Sequence, residues 1–138
     1  MNQTDLKDLR TERAQINIRA AADEILEALT NARTWRVCFP GILEAKYDHP
    51  GEISFRGIFD DEDLAWDAEV SIDHDERTVE LRNKTNFIQA IKCRLTEQGQ
   101  FGWVVVISVS SEKRYPRTVI MPALLAMKRL IESGGPPR

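Results

Sequence analysis

The chain has few of the residues that build metal centres, disulfide frameworks and nucleophilic sites. It contains two cysteines and two histidines in 138 residues. Cys38 and Cys93 lie far apart and form no CxxC pair, so we expect reduced thiols in a cytoplasmic protein. His49 and His74 fit no zinc spacing, and the acidic runs DDED and DHDE lack the calcium-loop glycine. The sequence therefore predicts no bound metal.

Long apolar runs and nucleotide-binding motifs are also missing. No run approaches the ~20 apolar residues of a membrane span, and the polar start MNQTDLKDLRTER does not resemble a signal peptide. There is no Gly-rich phosphate loop and no nucleotide fingerprint, so we expect no cofactor. The nucleophile motif GxSxG is absent too. The segment 51–80 contains eleven acidic residues and only two arginines. This acidic middle disfavours nucleic acid as a partner.

What the chain does have is clear periodicity. RAQINIRA (13–20) alternates apolar and polar residues, which predicts a half-buried strand. AADEILEALTNARTWRVCF (21–39) changes to a helical period, and Asn31 is expected to divide it into two short helices. Pro40-Gly41 ends the second of these. The corner TWRVCFPGIL is interpreted as structural first, as the place where the two short helices lead into the second strand.

Six further strands are predicted after this corner, separated by tight turns. The turns fall at Pro50-Gly51, at DDED (60–63), at DHDE (73–76) and at Gln98-Gly99. The predicted strands are ILEAKYDH, EISFRGIF, LAWDAEVSI, TVELRNK, FIQAIKCRL and FGWVVVISVS.

The last predicted element is an amphipathic helix, PRTVIMPALLAMKRLIES. Pro122 should either begin this helix or kink it. Its apolar stripe can cover one face of a seven-stranded antiparallel sheet, which makes the fold class α+β. The stripe consists of Ile120, Ala123, Leu124, Met127 and Ile131.

We expect a frayed lead-in at 1–10, one domain at 11–133 and a flexible tail at 134–138.

This order of elements resembles the START-like, helix-grip superfamily, which includes polyketide cyclases and aromatases, pollen-allergen proteins and lipid-transfer domains. The best matching segments are INIRAAADEILEALTNARTWRVCFPGILEAKY and LLAMKRLIES. The resemblance covers nearly the whole chain and specifies fold rather than activity. It implies a curved sheet wrapped around the C-terminal helix, two short helices between strands 1 and 2, and a cavity for a small apolar molecule. The family's last helix is usually longer and uninterrupted, so Pro122 predicts a shorter or bent helix here.

Six residues in inward strand phase are candidate ligand-binding residues. Aromatic side chains could stack on a flat ligand, and a few polar groups in an apolar cavity could orient it. Two alternatives stay open: the tryptophans fill an ordinary core, and a one-residue register error would turn the polar side chains to solvent. The candidates are Tyr47, Phe59, Trp66, Asn83, Gln89 and Trp103.

The leading hypothesis is a protein that binds a small hydrophobic or aromatic molecule in a central cavity. It is either a carrier or a cyclase-like enzyme that works by shape and orientation, with Tyr47, Asn83 or Gln89 assisting. The alternative is a protein–protein interaction module whose cavity is filled by its own side chains. The sequence assigns no catalytic residue, and both monomer and homodimer stay open.

Overall fold

The computed structural model describes residues 10–59, 61–83, 88–97, 102–111 and 117–134. Seven strands and three helices follow one another in the predicted order. The predicted lead-in and tail fall mostly on residues 1–9 and 135–138, which lie outside the described part of the chain. The elements are β1 Arg10–Ile18, α1 Ala22–Leu29, α2 Ala32–Cys38, β2 Ile42–His49, β3 Glu52–Phe59, β4 Glu62–Asp73, β5 Thr78–Asn83, β6 Ile88–Glu97, β7 Trp103–Ser111 and α3 Arg117–Glu132.

The strands form one curved, antiparallel sheet in the order β1-β7-β6-β5-β4-β3-β2. Only β1 and β7 pair across a long sequence separation, because every other neighbour follows in the chain and is joined by a short connection. α3 packs near β1, while α2 packs on β2 at the other edge. The predicted seven-stranded α+β helix-grip fold is confirmed.

The core lies between the inward rows of the sheet and the three helices. Alternation decides which side chains enter it, as Ile53 and Phe55 on β3 are buried while the intervening Ser54 is only partly covered. The predicted stripe of α3 is buried along its whole length, since all five residues are at most 3% exposed. Burial of this stripe is what fixes the helix on the sheet.

Asn31 divides the helical segment after β1 into two helices. The Asn31 side chain accepts a hydrogen bond from the backbone N–H of Arg33 at 2.9 Å, which caps the start of α2. Asp23 and Glu24 occupy the first turn of α1, where the helix dipole favours negative charge. The prediction of two short helices is therefore confirmed.

The ends of some elements differ from the predictions. The DDED segment is not wholly a turn, because β4 already begins at Glu62. Asp63 of β4 forms an ion pair with Arg56 of the neighbouring strand β3. That exposed ion pair, Nη2 to Oδ2 at 2.9 Å, connects the two strands beside the turn, where the backbones of Phe59 and Glu62 are paired. α3 begins at Arg117 and contains Pro122, so the proline does not start the helix. At 16 residues α3 is about 24 Å long.

Candidate functional site

A small enclosed cavity lies between the end of α2 and the concave face of β3 to β6. Its volume is about 10 Å³, which is room for about one water molecule. The lining is apolar apart from one amide side chain. The lining residues are Phe39, Ile42, Phe55, Trp66, Ala68, Leu81, Asn83 and Ile91.

The sheet register brings the lining side chains together as cross-strand pairs. Directly opposed residues of antiparallel strands project from the same face, so each pair contributes two neighbouring side chains. Three successive pairs extend across β3, β4, β5 and β6 and form the wall of the cavity on the sheet side. They are Phe55 with Trp66, Ala68 with Asn83, and Leu81 with Ile91.

Trp66 and Phe55 form the aromatic wall of this cavity. Their ring centroids are 5.2 Å apart and their planes are inclined by 18°, which is a stacked arrangement. Trp66 is only 6% exposed. The sequence correctly placed Trp66 inward, and it lies against the cavity while also packing as a core residue.

Asn83 is the polar group of the cavity. It lies at the end of β5 and is 3% exposed, one of two buried polar residues in the described chain. An amide in such apolar surroundings can donate to and accept from a ligand, and such groups are the ones that fix a ligand's orientation. The predicted inward phase of Asn83 is thus observed.

The corner TWRVCFPGIL supplies the opposite wall. Phe39 and Ile42 flank Pro40-Gly41 and both line the cavity. Trp35 is fully buried beside Phe39, with ring centroids 6.1 Å apart, and its indole N–H donates to the carbonyl oxygen of Leu29 at 2.8 Å. Phe39 and Ile42 were missed as candidates, although the Pro-Gly break between two apolar residues marked where the chain turns back onto the sheet.

Tyr47 does not line the cavity. It pairs with buried Ile53 and so has the predicted inward phase, but its side chain is 59% exposed. Tyr47 lies on edge strand β2, close to the β2–β3 turn. Its hydroxyl donates to the carbonyl oxygen of Thr30 at 2.7 Å and accepts from the backbone N–H of Ala32 at 3.3 Å. The phenol therefore ties β2 to the α1–α2 connection.

Trp103 also lies away from the cavity. It begins β7 opposite Ile18 and Glu97, and the Arg77 guanidinium lies 4.7 Å from the centre of its ring. This contact is a cation–π interaction at the β4–β5 turn end of the sheet. Neither Trp103 nor Arg77 is among the cavity-lining residues.

Two other candidates have described backbones but undescribed side chains. Phe59 is the last residue of β3. Gln89 lies in β6 at a shift of register between Ile88 and Ala90. Their placement relative to the cavity therefore stays a prediction.

The two thiols have no nucleophilic character. Burial raises the pKa of the Cys93 thiol to about 12 and that of the Cys38 thiol to about 11. Both stay protonated near neutral pH, so neither is an activated nucleophile. Within the described residues, no group of three or more His, Cys, Asp or Glu side chains could hold a metal ion.

The fold is shared with solved structures of low sequence identity. The ZhuI aromatase/cyclase from Streptomyces sp. R1128 aligns with a TM-score of 0.65 at 13% identity, covering 93% of this chain and 99% of that one. Ginseng major latex-like protein 151 from Panax ginseng gives 0.64 at 16% identity, covering 94% and 99%. DR_A0006 from Deinococcus radiodurans gives 0.72 at 13% identity, covering 91% and 98%. The chain therefore has the START-like helix-grip fold.

Sequence comparison gives no further assignment. No family model matches the chain, and no curated protein matches it. No helix among the described residues is long and apolar enough to cross a membrane.

Proposed function

We propose that the protein binds a small, flat, largely apolar molecule in the cavity lined by Phe55, Trp66 and Asn83. The observation that carries this proposal is the lining itself: seven apolar residues surround one buried amide. A ligand site of this kind combines an apolar wall with a few placed polar groups. Aromatic rings offer a stacking surface to a planar ligand, and the Asn83 amide can hold one polar substituent.

Binding requires the cavity to widen. About 10 Å³ holds no organic molecule, whereas small-molecule sites occupy roughly 300–1,000 Å³. Burial of about 200 Å² of a ligand's apolar surface contributes about 5 kcal/mol to the free energy of binding. Part of this free energy is consumed when the packed side chains separate. We therefore expect a dissociation constant of about 0.2 mM or weaker for a simple aromatic ligand.

Four of the six candidate residues from the sequence belong to the proposed site. Trp66 and Asn83 line the cavity, and Phe59 and Gln89 are proposed to approach a bound ligand from the ends of their strands. As for role, we propose a carrier, or a cyclase-like enzyme in which the walls hold a flexible substrate folded. In the second case, the Asn83 amide would polarise a carbonyl group. A cytosolic location is part of this proposal.

Titration with the fluorescent probe N-phenyl-1-naphthylamine tests this site. Ala68 lines the cavity and is 2% exposed, so Ala68→Leu should fill the available space. Ala65 lies on the opposite face of the same strand and is exposed, so Ala65→Leu is the matched control. We expect saturable binding to the wild type, a loss of about tenfold or more in Ala68→Leu, and a change within about twofold in Ala65→Leu.

Two outcomes would contradict the proposal. Equal binding by all three proteins would place the probe elsewhere on the molecule. Absence of saturable binding to the wild type would mean that the side chains themselves fill the cavity. Thermal melts of each variant show whether Ala68→Leu is still folded at the titration temperature.

The second candidate function is a protein–protein interaction module with a self-filled core. The observation that favours it is the cavity volume of only about 10 Å³. Exposed apolar side chains also occur at Val37 on α2 and at Leu43 and Ile58 on the two edge-side strands. Native mass spectrometry of the protein from its own host distinguishes the two functions. A co-purified small molecule supports the first, and a bound protein without one supports the second.

A further inference from the structure

A second, larger depression lies outside the core, between α1, the β2–β3 turn and the end of β4. Its volume is about 560 Å³, and we call it the α1 groove. It shares no lining residue with the central cavity. The residues that define its chemistry are Asp23, Glu27, Tyr47, Glu52, Val70 and Ile72.

The floor of the α1 groove consists of core-phase side chains that the helices leave uncovered. Tyr47 pairs with Ile53, and Ile72 pairs with Val79; both partners are fully buried. Tyr47 is nevertheless 59% exposed and Ile72 is 39% exposed. An exposed tyrosine ring beside an exposed isoleucine offers apolar surface to a ligand.

The Tyr47 ring is held in place before any ligand arrives. Its hydroxyl is bonded to the Thr30 carbonyl at 2.7 Å and to the Ala32 N–H at 3.3 Å. These two bonds orient the ring in the floor of the groove. Because the ring is already fixed, less side-chain entropy is lost when a ligand binds.

The rim of the α1 groove is negative. Asp23 and Glu27 are one turn apart on α1, and Glu52 at the start of β3 also lines the groove. His74 lines it too, but no lysine or arginine is among its lining residues. Within the described chain neither Asp23 nor Glu27 forms an ion pair, whereas Glu52 lies 2.8 Å from the His49 imidazole. Like charges at this helical spacing repel each other, and together they focus a negative potential.

We propose that the α1 groove binds a small organic cation with an ammonium group on an aromatic or branched aliphatic body. The ammonium group meets the carboxylates of Asp23 and Glu27, and the apolar body lies on Tyr47, Val70 and Ile72. The face of the tyrosine ring adds a cation–π attraction. The volume of the groove matches that of a small-molecule site.

Calorimetric titration with 2-phenylethylamine at pH 7 and low salt tests this site, with neutral 2-phenylethanol as the matched ligand. We expect the amine to bind about tenfold more tightly than the alcohol. The double variant Asp23→Asn/Glu27→Gln should lose at least about fivefold in affinity for the amine and little for the alcohol. The control double variant is Glu24→Gln/Glu44→Gln, which removes two exposed charges that do not line the groove. It should stay within about twofold of the wild type.

Three results would overturn the proposal: no saturable binding of 2-phenylethylamine, equal affinity for amine and alcohol, or equal losses in the two double variants. Amide NMR shifts separate this site from the central cavity. Shifts induced by the amine at Tyr47 and Ile72 support the α1 groove. Shifts confined to Trp66 and Asn83 would place the amine in the core and contradict it.

Discussion

Gly102 has no room for a side chain. Its φ is +95°, and a Cβ built on it would lie 2.3 Å from the carbonyl oxygen of Ile18. A backbone atom cannot move aside cheaply, and a positive φ already disfavours any L side chain. This close approach lies beside the pairing of β7 with β1, where Trp103 opposes Ile18.

We therefore predict that Gly102→Ala lowers the free energy of unfolding by about 3 kcal/mol or more. Gly134→Ala is the matched control, because Gly134 also has a positive φ but no atom within 4 Å of its built Cβ. That variant should lose only about 1 kcal/mol. Chemical denaturation of both variants measures the difference. Equal losses would mean that the crowding around Gly102 is unimportant.

Trp66→Ala should behave as a truncation in a packed core. The ring is 6% exposed and stacked on Phe55, and the adjacent cavity of about 10 Å³ leaves few of its contacts unmade. We expect a loss of about 3–5 kcal/mol in the free energy of unfolding. Trp103→Ala, at a partly buried position, should lose less. Similar losses in the two variants would indicate that the wall around Trp66 is already open.

The two thiols should be inert in the folded protein. Burial raises the pKa of the Cys93 thiol to about 12 and of the Cys38 thiol to about 11, so thiolate is scarce in the native state at pH 8. We predict that Ellman's reagent labels fewer than about one thiol in ten within minutes, and both in 6 M guanidinium, because access requires opening. Rapid labelling of one thiol in the native protein would contradict the assigned burial.

At the scale of elements, the C-terminal end of α3 is latched to the corner after β1. The Lys128 ammonium donates to the Asn17 carbonyl at 2.7 Å and pairs with Glu132 at 2.7 Å. The Glu132 carboxylate also accepts the backbone N–H of Arg19 at 2.8 Å. The Arg19 N–H and then Lys128 lower the pKa of the Glu132 carboxyl. The latch thus joins one end of the helix to the end of β1 by two polar contacts, and the Lys128–Glu132 ion pair links these two contacts within the helix.

Glu132→Gln should weaken this latch in a pH-dependent way. A carboxyl whose pKa is lowered by folding stabilises the fold above its ordinary value of 4.5 and loses that contribution as pH falls. At pH 7 we expect a loss of about 0.5 kcal/mol, since the site is partly solvated. Denaturation curves at pH 7 and pH 3 provide the check. The difference between wild type and variant should shrink at pH 3, and a constant difference would exclude a role for the charge.

The regular elements were predictable because their burial follows one period. β3 and β4 alternate strictly, and the α3 stripe recurs at helical spacing, so one pattern fixes both element and face. The sequence left two roles open for Pro122, and the structure excludes a helix start there, because tertiary packing of the stripe outweighs the hydrogen bond that a proline removes. Glu62 and Asp63 were assigned to a turn, because local acidic composition does not reveal the pairing of Asp63 with Arg56.

The candidate site was predictable only where strand phase decides it. Trp66 and Asn83 face the cavity as expected, because β4 and β5 lie in the middle of the sheet. Tyr47 has the same phase but lies on edge strand β2, and phase alone does not say where a helix stops covering a sheet. Phe39 and Ile42 depend on the fold of a corner, which periodicity does not describe.

The whole molecule has a closely packed core and a separate groove that is open to solvent. The central cavity of about 10 Å³ is enclosed by packed side chains, whereas the α1 groove of about 560 Å³ is open to solvent. The same curved sheet forms part of both, because its concave face extends beyond the helices at β2 and β4. The core should therefore admit a ligand only by widening, while the groove needs no rearrangement.

Entry of a flat apolar ligand into the core beside Trp66, as proposed above, can be observed directly by NMR. The chain has three tryptophans, and their indole N–H signals in a ¹⁵N–¹H NMR spectrum report on three places: the cavity, the α2 corner and the far end of the sheet. On addition of N-phenyl-1-naphthylamine, the Trp66 indole signal should show a saturable shift. The Trp35 and Trp103 signals should move much less. A Trp66 signal that stays in place while the probe binds, or that never moves at any probe concentration, would contradict the claim.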